Sequence, residues 1–509
     1  MQYHTTPTIS DTCTGNIKTS MTHPCHLLFA GSWSFARLPL THSFNSNGKT
    51  PLFSWLRWTV LFIIIVFIRL AQADLVLEVT HGNDKSTIIA VPPFSWTGKA
   101  LLPEDMASIV DNDLTLSGLF EALPRKNMLS FPDKQSEVYY RDWKVLGAAY
   151  LVTGRVEKSM EEYKVSYQLF DVVRQKSVFS GHVKGEERQL RTLAHHVSDV
   201  IYEKMTGLKG DFSTKILYIT AEIVTPAKKK VQKTKEIIAP PVYDYSLKYA
   251  DADGKRVLTI FKSREPIMSP CWSPDGASVA YVSFESGRPS IFIQELATGK
   301  RKQISAHKGL NSSPAWSPDG KKIALVLSKT GSPDIYMLDI ASNKMSQITS
   351  HFAIDTEPDW MPDGNSIIFT SNRGGSAQIY QLNIESMPDG RVFAKGDAKR
   401  LTFRGKFNAR AKVFPDGKSL AIIHKGKNST NFNIIIQDLA SGRIKRLTSS
   451  ALEDSPSIAP GGRRLIYSAQ GKIYGELGIV SIDGLIKYRL PSATGDVREP
   501  VWGPSIKLQ

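Results

Sequence analysis

Trp272-Ser273-Pro274-Asp275-Gly276 is the stretch from which the fold of this chain is read. It returns intact as Trp316-Ser317-Pro318-Asp319-Gly320, and altered as Trp360-Met361-Pro362-Asp363-Gly364 and Phe414-Pro415-Asp416-Gly417. Weaker copies are Ala459-Pro460-Gly461-Gly462 and Trp502-Gly503-Pro504. The prolines stand at 274, 318, 362, 415, 460 and 504, so successive spacings are 44, 44, 53, 45 and 44. Pro fixes φ, Asp bonds the backbone beyond it and Gly accepts positive φ, so each copy is a tight turn. A strand pattern follows each turn, as in Ile323 to Leu327 or Ile367 to Thr370. A second strand follows (Asp334 to Ile340, Asn433 to Leu439), then a hairpin turn (Thr298-Gly299, Ser441-Gly442), then a segment ending near Ile304, Ile348 or Leu447. Four short strands in such a period make one propeller blade, with the anchor Trp expected between blades.

Working outward, the count is six blades. Pro388-Asp389-Gly390 is out of phase and reads as the loop of an insertion that lengthens the third spacing. Before the first anchor lie three strand candidates, Lys215 to Thr220, Asp244 to Ala250 and Lys255 to Phe261. A last strand near Val497 to Trp502 completes the blade that they begin, which removes the open edge. The constant spacing and the half-blades at each end disfavour an array of β-sandwiches.

Residues 74–210 follow another pattern, that of a small α/β domain. Leu75, Leu77 and Val79 alternate as in a short strand, and Ile88 to Phe94 reads as a buried strand ended by Pro92-Pro93. Glu104 to Leu116 reads as a helix with acids at its start and Gly118 at its stop. Tyr163, Val165, Tyr167 and Leu169 alternate with polar residues, a half-buried strand. Leu190, Leu193, Ala194, Val197, Ile201 and Met205 trace one helical face that Gly207 ends.

Before that domain stands Val60 to Ile68, an apolar run too short to span a bilayer as a helix. With Arg57 before it and Ala71-Gln72-Ala73 after it, the run reads as a secretory signal cleaved between Ala73 and Asp74. Residues 1–73 are thus a leader. It is over-long, and the expected start of translation is a non-methionine codon within 45–56. The whole chain has 509 residues, 41% hydrophobic and 22% charged, values that exclude a wholly disordered protein. Its formal charge is +16; the leader holds five Lys or Arg and one acid, so cleavage leaves +12. That charge suits acidic partners and does not by itself indicate nucleic acid. Of three cysteines only Cys271 follows the leader, so no internal disulfide supports the exported chain.

Motifs for catalysis are missing. The sequence holds no G-x-S-x-G elbow and no H-E-x-x-H, and Gly417-Lys418-Ser419 fails as a P-loop because residue 412 is Lys. His195 and Asp199 stand at i, i+4, yet two ligands fall short of the three or four that a metal needs, so both read as helix surface beside the core face. Glu453-Asp454 reads as a pair of rim charges. No cofactor or metal is expected.

An export signal, an α/β domain and a six-fold WSPDG propeller together resemble the TolB family of the Tol-Pal system. The resemblance spans 74–509 and includes Val91-Pro92-Pro93-Phe94-Ser95-Trp96, Ser117-Gly118-Leu119-Phe120, Glu203 to Gly210, Met268 to Gly276, Phe284 to Arg288 and Leu327 to Gly331. It implies a periplasmic, monomeric, non-enzymatic scaffold. The implied partners are Pal on the propeller and TolA on the N-terminal part, in a system that maintains outer-membrane integrity and constriction at division. The alternatives are a secreted propeller hydrolase, which lacks its catalytic domain here, and a propeller that binds a small molecule or polyanion in its channel. One departure is a stretch at Val224 to Ile238, with Lys228, Lys229, Lys230, Lys233 and Lys235, which reads as a solvated loop or, more sharply, as a polyanion-binding one.

Two sites follow. Polar loops precede the anchors, at Lys262 to Glu265, Asn311 to Ser313, Ile354 to Glu357, Asn408 to Arg410, Glu453 to Ser455 and Val497 to Glu499. Equivalent positions share one end of the ring, which gathers Lys262, Arg264, Glu265, Glu357, Arg410, Glu453, Asp454 and Arg498. This end is the expected Pal face; its alternative is a solvated rim. Cleavage after Ala73 would free Asp74-Leu75-Val76-Leu77-Glu78-Val79, an apolar segment suited to strand addition. It is the expected TolA site by resemblance, and it reads equally as the first strand of the α/β domain.

Overall fold

Each Pro-Asp-Gly copy folds as the turn that its chemistry demands. Gly276, Gly320, Gly364 and Gly417 take φ of 71°, 71°, 70° and 68°. The carboxylates of Asp275, Asp319, Asp363 and Asp416 accept from the N–H two residues on, at 2.9, 3.0, 3.0 and 2.9 Å. Bonds from the Ser273 hydroxyl and the Ala277 N–H hold the Asp275 carboxyl below the usual range.

The computed structural model describes residues 77–79 and 86–505, apart from 227, 233–234, 240, 450–452, 472 and 491–494. The leader, its cleavage point at Ala73, and Asp74, Leu75 and Val76 lie outside the described residues. Among those described, no helix is long and apolar enough to cross a membrane.

Six four-stranded antiparallel blades surround a channel. Their innermost strands, in order from blade 1, are Asp496–Trp502, Ile267–Trp272, Asn311–Trp316, Asp355–Trp360, Phe407–Val413 and Glu453–Ile458. Blade 1 is built from both ends of the propeller sequence. Asp496–Trp502 pairs with Lys215–Thr225, Trp502 opposite Ile216, and Val242–Asp251 and Leu258–Ser263 complete the sheet. The long third spacing lies in blade 4, whose Gln378–Ser386 and Val392–Arg400 form an extended hairpin around Asp389-Gly390. The core is the set of faces between blades. Ala280, Val282 and Ile291 of blade 2 pack with Ile323, Leu325 and Leu327 of blade 3. The anchor indoles bridge the same gaps: Trp272 donates to the Val501 carbonyl at 3.3 Å and Trp360 to the Ala315 carbonyl at 3.0 Å.

The α/β domain holds the strands β2 (Thr87–Ala90), β3 (Ser95–Trp96), β4 (Phe120–Ala122), β5 (Tyr150–Ser159), β6 (Glu162–Asp171) and β7 (Lys176–Glu186), and the sheet order is β4-β2-β5-β6-β7, with β3 on β5. Helices α1 (Met106–Leu116) and α3 (Leu190–Thr206) cover one face, burying Val110, Leu114, Leu193, Val197 and Ile201 against Val152, Val165 and Leu169. Helix α2 (Tyr140–Val145) sets Trp143 against Leu151 and Phe170 in a separate cluster. Helix α1 starts two residues later than the sequence suggests, because Asp105 is its cap and accepts from the Ser108 N–H at 3.0 Å. Helix α3 ends as expected at Gly207, φ 73°, whose N–H bonds the Glu203 carbonyl.

Strand β1 (Leu77–Val79) corrects one reading. It does not join the α/β sheet but pairs antiparallel with the outermost strand of blade 6, Ile486–Leu490, with Leu77 opposite Tyr488 and Val79 opposite Ile486.

Candidate functional site: the propeller channel and the two ends of the ring

Every innermost strand slips register once. The slips fall between Met268 and Cys271, Ser312 and Ala315, Thr356 and Asp359, Ala409 and Lys412, Asp454 and Ser457, and Arg498 and Val501. Each contains one non-glycine residue at positive φ: Ser269 50°, Ser313 49°, Glu357 56°, Arg410 50°, Ser455 54° and Glu499 47°. Such a backbone costs about 1 kcal/mol or more per residue, and it persists only where its surroundings impose it. Here the six bulges form one ring around the channel, and five of the six residues precede a proline (270, 314, 358, 456 and 500). Bulges re-aim side chains next to sites.

The ring carries charge. The Arg410 N–H donates to Glu357 Oε2 at 2.9 Å and its Nε to Oε1 at 3.2 Å, across the seam between blades 4 and 5. Its other arm reaches blade 6, where it donates to Ser455 Oγ at 2.5 Å and faces Asp454 at 3.4 Å. Burial disfavours the Arg410 charge, but Asp454, Glu357 and Glu499 outweigh it and raise the guanidinium pKa. The carboxylate of Glu499 accepts the Ser269 N–H across the seam of blades 1 and 2, and burial raises its pKa. Lys412 pairs with Asp359 at 3.2 Å. Glu357, Arg410, Lys412, Ser455 and Glu499 line a recess of about 130 Å³ together with Cys271, whose thiol burial pushes up to about 12.

The expected Pal-face residues divide accordingly. Glu357 and Arg410 line the recess, and Asp454 pairs with Arg410. Glu453 is buried, not a rim charge. Arg498 is half-exposed and pairs with Asp496 at 3.0 Å. Lys262 and Arg264 sit on blade 1's outermost strand and just beyond it, paired with Asp244 at 2.8 and 3.9 Å, and Glu265 follows them. They are out of phase, because the position equivalent to Asn311 and Asp355 is Ile267, the start of blade 2's inner strand. Ser313, Ser455 and Glu499 fall within the polar loops read from the sequence, though not among the charges singled out there, and Ser269, Asp359 and Lys412 were not expected. The bulge residues carried a signal: the residue five before each anchor proline, mostly followed by Pro, repeats in phase with the turns.

The loops entering the inner strands, and those joining the second and third strands, share this end of the ring. They expose Phe352 (89%), Phe403 (72%) and Ile473 (83%), with Ile354 and Met268 nearby. All of these stand on the loop end of the ring, opposite the Pro-Asp-Gly turns.

The opposite, Pro-Asp-Gly end meets the α/β domain. Arg464, next to the blade 6 turn, pairs with Asp211. Arg191 of α3 pairs with Asp251 at 2.8 Å and with Asp253, and Lys215 also pairs with Asp251. His195 of α3 lies 2.7 Å from Asp113 of α1 and 3.8 Å from Asp251 of blade 1, while Ser198 donates to Asp113 at 2.7 Å. Burial pulls the His195 pKa down, but the two carboxylates outweigh it and raise it to about 9. His195, Asp251 and Asp253 are close enough to suggest a metal, yet Arg191 and Lys215 already neutralise those carboxylates. Asp199 does not join His195. It accepts from the N–H groups of Phe212 at 2.7 Å and Ser213 at 3.1 Å, and burial raises it to about 7. His195 is fully buried and Asp199 half-buried with its carboxylate engaged, which corrects their reading as helix surface.

Comparison with known proteins gives concordant matches. Residues 202–506 match the family described as "TolB beta propeller domain" and residues 75–178 the "TolB amino-terminal domain". The chain is 52% identical over 444 residues to the Tol-Pal system protein TolB of Pseudomonas aeruginosa, covering 87% of this chain and 98% of that one. It is 49% identical over 446 residues to the protein of the same name in Pseudomonas fluorescens, with coverages of 87% and 98%. Among solved structures, TolB from Acinetobacter baumannii aligns with TM-score 0.72 at 38% identity, over 85% of this chain and all of that one.

Proposed function

The chain belongs to the TolB family, and on that premise we propose that it is a non-enzymatic periplasmic scaffold that docks Pal on the loop end of its propeller and TolA through its N-terminal segment. A role in the Tol-Pal system follows from the family. The periplasmic location, both partners, the monomeric state and the part in division are the reading offered here. So are its boundaries: a leader over 1–73, an α/β domain over 74–210 and a propeller over 211–509, with Leu77–Val79 pairing across to the propeller.

One observation carries the Pal assignment: Phe352, Phe403 and Ile473 are exposed on loops at the end of the ring that the α/β domain leaves free, the end from which the inner strands enter the charged channel. Interfaces bind through a few apolar or aromatic anchors beside charges that fix register. A recess of about 130 Å³ is smaller than the roughly 300–1,000 Å³ of small-molecule sites, which weighs against the ligand-binding alternative. Ser269, Ser313 and Ser455 have no histidine among the residues lining that recess, which weighs against a hydrolase.

The test is surface-plasmon resonance against soluble Pal. The double variant Phe352→Ser, Phe403→Ser should weaken binding by about 30-fold or more, since hot-spot truncations cost about 2 kcal/mol. Both side chains are exposed, so folding should be unaffected. Unchanged affinity in the folded variant would move the Pal site away from this end.

A further inference from the structure

Five blades join their second and third strands with short loops, residues 284–289, 328–333, 372–377, 426–432 and 471–474. In blade 1 residues 226–241 stand between Lys215–Thr225 and Val242–Asp251. Two stretches of this chain form strands. Lys228–Gln232 and Lys235–Ala239 pair antiparallel in continuous register, with Lys230 opposite Ile237 and Lys229 opposite Ile238. Residues 228–239 hold five lysines, Lys228, Lys229, Lys230, Lys233 and Lys235, and one acid, Glu236. The two strands pair only with each other among the described residues. A two-stranded ribbon is marginal in water, so this one gains from a surface to lie on.

Topology fixes where that surface is. Loops between second and third strands emerge at the loop end of the ring, beside the recess and its aromatics. The stem adds exposed Ile223, Val224 and Val242, with Lys262 and Arg264 on the adjoining outer strand. We infer that the ribbon is an electropositive arm that meets an acidic, partly apolar surface of the protein seated on the loop end. This rests on the loop end being the Pal-docking face. The sequence Lys233-Thr234-Lys235 is polar, whereas interfacial membrane segments lead with apolar residues. Clustered charge of one sign acts chiefly on the association rate, and salt screens it.

The experiment compares the full mature chain with two variants by stopped-flow association with soluble Pal. One variant carries Lys→Gln at 228, 229, 230, 233 and 235; the other replaces residues 227–240 by a short Gly-Ser loop. At low salt both should associate on the order of tenfold more slowly than the parent, and at high salt the rates should converge. Unaltered melting temperatures would show that the blade persists. Equal rates at low salt, with Pal still bound, overturn the arm and leave the docking face intact. A parent chain that fails to bind Pal overturns the docking face, and the arm with it. Loss of binding to phosphatidylglycerol vesicles with an unchanged Pal rate overturns the protein partner in favour of a bilayer.

Discussion

His195 is held as an imidazolium by carboxylates from two domains, Asp113 on α1 and Asp251 on blade 1. Its folded pKa of about 9 lies above the 6.5 of an ordinary histidine. The stabilisation is therefore complete below pH 6.5 and is lost as pH rises through 9, with a size on the order of 3 kcal/mol. Thermal unfolding followed from pH 6 to 10 should show a decline across that window. His195→Gln should be less stable at pH 6 and should lack this part of the decline. A parent curve flat to pH 10 would remove the charged state of His195 from the account. None of this was legible beforehand, because the partners are residues 113, 195 and 251. The ring of positive φ was half legible. Its spacing stood in the sequence, but a residue before proline ordinarily takes an extended backbone, and nothing local announced the bulge. Turn chemistry was fully legible because Asp275 and Gly276 act within two residues of themselves.

Elements show the same division between local and distant causes. Helices α1 and α3 were readable because caps and apolar faces lie within each segment. Strand β1 was readable as a strand and misassigned in its partner, since an alternating segment says nothing of which edge it joins. Its described pairing spans three residues, Leu77–Val79. Backbone hydrogen bonds contribute roughly 0.5–1.5 kcal/mol each, so these three residues add only a few kcal/mol to the docking of the segment. Deletion of Asp74 to Val79 should abolish TolA binding in a pull-down. It should leave Pal affinity intact and lower the melting temperature by only a few degrees. Retained TolA binding would put that site elsewhere on the α/β domain.

At the scale of the whole molecule, the ring and its seam followed from the repeat, since six anchors and a half-blade at each end admit one closed arrangement. The union of ring and α/β domain did not follow, for it depends on pairs such as Arg464 with Asp211 that no repeat contains. Trp502 sits at the seam, 5% exposed, with its indole N–H on Thr214 Oγ1 at 2.7 Å and the Arg464 guanidinium 5.4 Å from its ring. Trp502→Ala should cost about 3–5 kcal/mol, as buried Trp truncations do, read as a lower urea midpoint in equilibrium unfolding. A cost under about 1 kcal/mol, within the range of an ordinary surface change, would mean that the seam contributes little to ring stability.

That seam also sets an order of events in time. Asp496–Trp502 is near the end of the chain, yet it supplies the inner strand of the blade that Lys215–Thr225 begins. A chain made from its N-terminus presents three strands of blade 1 and all of blades 2 to 6 before the strand that locks them. Until that piece emerges, blade 1 lacks the strand nearest the channel and the ring stays open. Ring closure is thereby timed by this one strand: the circle comes into being only after Asp496–Trp502 has been made.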